Sequence, residues 1–182
     1  QNPGDSGGAF DVIWESPEGF IIENVSWPTP ELIPFPPLMT YGYEDYVLFP
    51  FQVFRAANSS LGVIKATINF LICADICVPE SASIEIDLST EQPSPLIADR
   101  IKSIPNSVMP VSLDANNQSL NLGFAFDGTI NEAYFFTDNQ GDIKHSSSQK
   151  LRRLSGNNYE LILEQASSTP DPVSYTHLTL PT

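Results

Sequence analysis

Between Val63 and Ile72 apolar and polar side chains alternate: Ile64, Ala66, Ile68, Phe70 and Ile72 fall on one face, and Val63, Lys65, Thr67, Asn69 and Leu71 on the other. A period of two is the strand period, so this stretch predicts a β-strand with one apolar and one mostly polar face. Tyr46 to Phe54 is a second strand signal, with Asn58-Ser59-Ser60-Leu61-Gly62 as the turn between the two, and Ser83 to Leu88 alternates again. Earlier in the chain, Phe10 to Trp14 and Phe20 to Val25 read as short strands around a Ser16-Pro17-Glu18-Gly19 turn and together predict a hairpin. Pro28, Pro30, Pro34, Pro36 and Pro37 then interrupt the chain up to Met39. Proline has no backbone N–H and breaks helices, so an extended surface loop is expected there.

After residue 90 the pattern changes. Ser94 to Ser103 predicts a short helix with Ser94 as N-cap and Pro95 in the first turn, ended by Pro105. Beyond it, Ser119 to Phe126, Ile130 to Phe136 and Tyr159 to Glu164 read as strands. They are separated by turns at Asp127-Gly128, at Asp138 to Asp142 and at Ser155 to Asn158, a spacing that predicts a small β-sandwich. The expectation is an all-β chain of two sandwich domains, residues 1–90 and 105–172, joined by a helix-containing linker at 91–104. Residues 173–182 resemble the translation of a sequencing adapter and are set aside from fold and function.

Composition narrows the function classes. The 182 residues are 41% hydrophobic and 16% charged, with 16 prolines, which suits a β-rich chain long enough for one large or two small domains. No run reaches the roughly 18 apolar residues of a membrane span. A net charge of −14, from 22 acidic and 8 basic residues, argues against nucleic acid and against insertion into an anionic membrane surface. Lys144, Lys150, Arg152 and Arg153 form a small basic cluster that reads as solvated surface. The acidic Asp138 to Asp142 turn lacks a complete calcium loop, and no metal or cofactor is expected.

The candidate chemistry lies at the end of the best strand. Cys73 and Cys77 are the two cysteines of the chain. On a straight strand they would stand about 13 Å apart, whereas a disulfide tolerates about 7 Å between Cα atoms. If they bond, Ala74-Asp75-Ile76 must fold back as a tight turn or coil as one helical turn. Such a ring closes little chain entropy, and accessible bonds of this kind tend to be exchangeable. A local structural staple stays open as the alternative, as does a Cu(I)-binding dithiol; zinc would need further ligands. Asp75 and Glu80 flank the pair, so nearby charge disfavours a thiolate. Gly4-Asp5-Ser6-Gly7-Gly8 matches a serine-protease nucleophile motif, but the chain supplies no credible base for it, and a plain turn is the reading adopted.

Phe70 to Glu80 with its two cysteines, together with Tyr41-Gly42-Tyr43-Glu44 and Asn2-Pro3-Gly4-Asp5-Ser6-Gly7, resembles the amino-terminal periplasmic region of the DsbD family of thiol:disulfide interchange proteins, nearest its ScsB-like branch, which is associated with copper tolerance. The resemblance covers most of residues 1–90. From 91 to 172 it is looser and rests on Ala133-Tyr134-Phe135-Phe136, Gly141-Asp142-Ile143 and Gln149. It implies that both sandwiches are immunoglobulin-like and that the first lacks its opening strands, as in a fragment of a longer chain. It also implies a protein-disulfide reductase activity in which Cys73 and Cys77 take reducing equivalents from a membrane-embedded domain of the same chain. Periplasmic thioredoxin-like proteins are the implied recipients, and the setting is the soluble part of an inner-membrane protein of a Gram-negative bacterium. In that family a loop caps the cysteine pair; Tyr41 and Tyr43 are the positions expected to form such a lid.

Overall fold

A computed structural model describes residues 2–24, 27–90, 94–102, 104, 109–116, 118–166 and 177–179. In chain order the elements are β1 (Asp11–Glu15), β2 (Phe20–Asn24), β3 (Glu31–Phe35), β4 (Leu38–Gly42), β5 (Phe51–Arg55), β6 (Val63–Cys73), β7 (Cys77–Asp87), α1 (Pro95–Lys102), β8 (Val111–Ala115), β9 (Ser119–Ala125), β10 (Tyr134–Phe136), β11 (Lys150–Arg153), β12 (Asn158–Glu164) and β13 (His177–Thr179). The chain is nearly all-β, consistent with an immunoglobulin-like β-sandwich. It divides into two compact units that are not consecutive pieces of chain. The first holds residues 7–30 and 43–106, and the second residues 2–6, 31–42 and 107–182. A cut at the helix therefore separates only part of them.

The first unit contains a three-stranded sheet, β1-β6-β7, and a two-stranded sheet, β2-β5. β6 shows the alternation read from its sequence: Ile64 and Ala66 are buried on the apolar face, with Trp14 opposite Ala66 and Val12 opposite Ile68 on the same side. Trp14 meets Phe51 of the other sheet edge to face, with ring centres 5.0 Å apart. Phe10, Trp27 and Phe49 form a second aromatic cluster. The hairpin expected from β1 and β2 does not form, because β1 pairs with β6 and β2 with β5. Pro17 has no N–H with which to continue a ladder, and Gly19, at φ +84°, turns the chain out of the first sheet into the second.

The second unit is built on a four-stranded sheet in the order β11-β12-β9-β8. Register places Tyr159 opposite Phe124, Leu161 opposite Leu122 and Leu163 opposite Leu120, so one face of the two central strands is apolar throughout. These six residues are buried with Ile130, Ala133, Phe135 and Ile143 in one core. The expected strand from Ile130 is shorter, beginning at Tyr134, because Ile130 and Ala133 pack into this core from a loop.

The proline-rich stretch is not a loop. β3 and β4 form a hairpin, with Ile33 opposite Thr40 and Pro34 opposite Met39, and its turn holds a cis Pro36–Pro37 bond. Pro34 is tolerated because the amides of Met39 and Tyr41 point away from β3, to Asp5 Oδ2 and the Pro3 carbonyl. The Pro34–Met39 pair is thus one of the non-hydrogen-bonded positions, where a missing N–H costs the ladder nothing. β13 pairs with β10, which places three residues of the adapter-like tail. The rest of that tail, the expected strand end at Val25 and the expected helix end at Ser103 and Pro105 lie outside the described residues.

Candidate functional site

The two cysteines meet because β6 and β7 are one long hairpin. Their register runs without a break from Val63 opposite Asp87 to Cys73 opposite Cys77, and Ala74-Asp75-Ile76 is the turn. Of the two geometries open to the spacing, the chain takes the tight turn, closed by a hydrogen bond from Ala74 N–H to the Ile76 carbonyl (3.1 Å). The sulfurs are bonded, and the Cα atoms are 4.1 Å apart. Directly opposed positions without a mutual backbone bond are the closer pairs of an antiparallel ladder, about 4.5 Å apart, which is where a bridge across two strands fits.

Alternation along β6 puts Cys73 on the polar face, with Leu71, Asn69 and Thr67, and leaves Ile72 on the apolar one. Both cysteines are exposed at the tip of the hairpin. Around them Ile72 is 57% exposed and Ile76 74%, an apolar fringe on a site that reaches solvent. The chain carries no Lys or Arg between Lys65 and Arg100, while Asp75 and Glu80 flank the pair. Gly8 lies against the Leu71 side chain: a Cβ there would fall 2.4 Å from Leu71 Cδ1, so a residue without one lets residues 7 and 8 pass close to the cysteine face. Among the described residues no group of three or more His, Cys, Asp and Glu side chains stands where it could hold a metal ion.

The two residues expected to share one lid are divided between the units. Tyr43 is in the first, where its hydroxyl donates to the Pro28 carbonyl (2.7 Å) and its ring packs edge to face on Phe49. Tyr41 is buried in the second. Its O–H donates to His145 Nδ1 (2.8 Å), its oxygen lies 3.2 Å from the Tyr134 hydroxyl, and its ring packs edge to face on Phe136. A carbonyl only accepts, so the 2.8 Å contact of His145 Nε2 with the Gln140 carbonyl puts the ring proton on Nε2 and leaves Nδ1 as acceptor. Burial raises the pKa of Tyr41 far above the ordinary tyrosine value, helped by its bond to Tyr134, and burial also raises that of Tyr134. This network is a structural clasp that the sequence reading missed. The available signal was His145, the one histidine outside the adapter-like tail, but its sequence neighbours Lys144 and Ser146 do not mark it as buried.

The protease-like motif is accounted for by the same unit. Ser6 Oγ pairs with Thr40 Oγ1 (2.6 Å), Asp5 bonds the backbone of Met39, and Gly4 takes φ +82° where a side chain would strike the Met39 carbonyl. Ser6 is held by a threonine, and the His145 ring is committed at both nitrogens.

Residues 4–88 match the family described as thiol:disulfide interchange protein DsbD, N-terminal. The matched segment contains β6, β7 and both cysteines, and the match ends one residue after β7. The crystal structure of the N-terminal periplasmic domain of ScsB from Proteus mirabilis superposes on 90% of the chain with a TM-score of 0.66 at 20% identity. At that identity the likeness carries the fold alone. The chain spans 66% of the length of that structure. No curated protein sequence matches the chain.

Proposed function

We propose that the chain is a periplasmic thiol–disulfide exchange module in which Cys73 and Cys77 are the reacting residues. The observation that carries this reading is the exposed disulfide across the tip of the β6–β7 hairpin, inside residues that match the DsbD N-terminal family. In each exchange a partner thiolate attacks one sulfur, the Cys73–Cys77 bond breaks, and the displaced sulfur leaves as a thiolate. The partner's second thiol, deprotonated, then displaces the mixed disulfide. Two electrons move from the partner dithiol to the cysteine pair, and the partner leaves as a disulfide. A membrane-embedded domain of the parent chain is the electron donor in this account, and oxidised thioredoxin-like proteins are the recipients, by the same steps in reverse.

Electrostatics supports a relay over a self-sufficient reductase. A thiolate is favoured by neighbouring cations, and the hairpin tip offers acidic neighbours instead. Activation therefore falls to the partner's thiol. A permanent staple is disfavoured because the β6–β7 ladder orders both strands without it. The test is to mix the oxidised chain with reduced thioredoxin and follow thiol appearance on Cys73 and Cys77. The proposal expects second-order exchange faster than with dithiothreitol at equal concentration. A pair that dithiothreitol reduces but thioredoxin does not would overturn it.

A further inference from the structure

The outer edge of β7 is a row of backbone groups that begins at the disulfide. Among the described strands β7 pairs with β6 alone. In an antiparallel ladder every second pair exchanges hydrogen bonds, and two bonds at the ends of this ladder fix its phase: Ala74 N–H to the Ile76 carbonyl (3.1 Å) and Leu88 N–H to the Gly62 carbonyl (3.2 Å). Counting along the register from either end, Val78, Glu80, Ala82, Ile84 and Ile86 are the β7 positions bonded to β6. The N–H groups of Cys77, Ser81, Ser83 and Glu85 point the other way. Pro79 falls in this outward set, where its missing N–H leaves the ladder intact. Cys77, Pro79, Ser81, Ser83 and Glu85 are all exposed.

Sulfur exchange requires that a partner's cysteine be held against this pair, and the edge supplies a way to hold it. We propose that an extended segment flanking the partner's reactive cysteine adds to β7 as a further strand, using the outward N–H and carbonyl groups of Ser81, Ser83 and Glu85. The inference rests on the exchange reading above and specifies how the partner docks. The segment is cationic near its cysteine: Asp75 and Glu80 flank the disulfide with no Lys or Arg between Lys65 and Arg100, whereas Glu85, farther along β7, is already paired with Lys65 (2.6 Å). Immediately beside its cysteine the segment is apolar, to meet the exposed Ile72, Ile76 and Val78. Docked there, the segment's thiolate attacks one sulfur of the pair, the Cys73–Cys77 bond breaks, and the other sulfur leaves as a thiolate.

The probe is a synthetic peptide of alternating valine and threonine with one central cysteine and a lysine at each end, compared with a copy N-methylated at alternate residues and a copy with glutamate ends. Mixed disulfide formed with the oxidised 182-residue chain is captured by acid quench and timed. The unmodified peptide is expected to react about tenfold faster than the N-methylated one, the size of effect that loss of two ordinary hydrogen bonds produces. The glutamate copy is expected to react more slowly. Ser81→Pro, which removes an outward donor only, should erase the advantage while dithiothreitol reduces variant and parent alike. Equal rates for the plain and N-methylated peptides would overturn the docking mode and leave the exchange reading standing. No mixed disulfide with any peptide and no exchange with thioredoxin would overturn both. Slow amide hydrogen exchange at Ser81 and Ser83 in the free chain would also overturn it, since another strand, from this chain or a second copy, would already occupy the edge.

Discussion

Breaking the Cys73–Cys77 bond should leave the fold standing. The bond joins residues only 4 apart in sequence, and the chain-entropy model gives such a short ring about 2 kcal/mol of stabilisation, the low end of what disulfides contribute. Both cysteines are exposed, so replacing them opens no core cavity, and β6 and β7 stay paired along their whole length. The same figure read through linkage says that the fold lowers the pair's reduction potential by about 40 mV relative to the unfolded chain, a modest bias that leaves the bond exchangeable. The assay is urea unfolding of the oxidised chain beside the Cys73→Ser/Cys77→Ser double variant, by circular dichroism and tryptophan fluorescence together. A loss of about 2 kcal/mol or less, with an unchanged slope against urea, is expected. A loss above about 4 kcal/mol, or a variant without native β-structure, would refute the reasoning and mark the bond as a structural one.

The buried clasp of the second unit gives further expectations. Tyr41→Phe leaves His145 Nδ1 without its donor in a buried site and should cost about 1–3 kcal/mol in urea unfolding, with no change in the rate of reduction by dithiothreitol. Nitrogen-15 shifts of His145 should show a proton on Nε2, donated to the Gln140 carbonyl, in the parent chain. Stability should also fall at alkaline pH. The folded pKa values of Tyr41 and Tyr134 are raised above the unfolded value, so their contribution is complete below about pH 10 and is lost as pH rises beyond it. The slope reaches up to about 1.4 kcal/mol per pH unit for each tyrosine that stays protonated when folded. Tyr41→Phe should reduce that slope, and a flat profile from pH 9 to 11.5 would contradict the assignment.

How much of this could be read in advance follows from which residues carry their own signal. β6 was legible because Ile64, Ala66, Ile68, Phe70 and Ile72 declare a face on their own, and β9 and β12 for the same reason. β7 was legible only from Ser83 onward, because Pro79 looks like a strand terminator; whether a proline ends a strand depends on which way its nitrogen points, and that is set by the partner. The same ambiguity hid the β3–β4 hairpin, where Pro34 sits at an outward position and residues 3–5 supply the partners for β4. The β1–β2 hairpin was a wrong inference from proximity. A short turn joins adjacent strands equally well within one sheet or across two, and here β1 pairs with β6 and β2 with β5. The site was legible as a pair of cysteines with two possible local geometries, and the hairpin chose between them. Tyr41 and Tyr43 lie two residues apart, yet Gly42 ends β4 between them and each ring is fastened in a different unit.

The measurement that bears most directly on the whole account is the reduction potential of the Cys73–Cys77 pair, obtained by equilibrating the chain with glutathione redox buffers and counting free thiols by mass. The account predicts a value above about −300 mV, within reach of thioredoxin-like partners. A value below that, with the bond intact in every physiological buffer, would contradict it and reduce the hairpin tip to a structural staple.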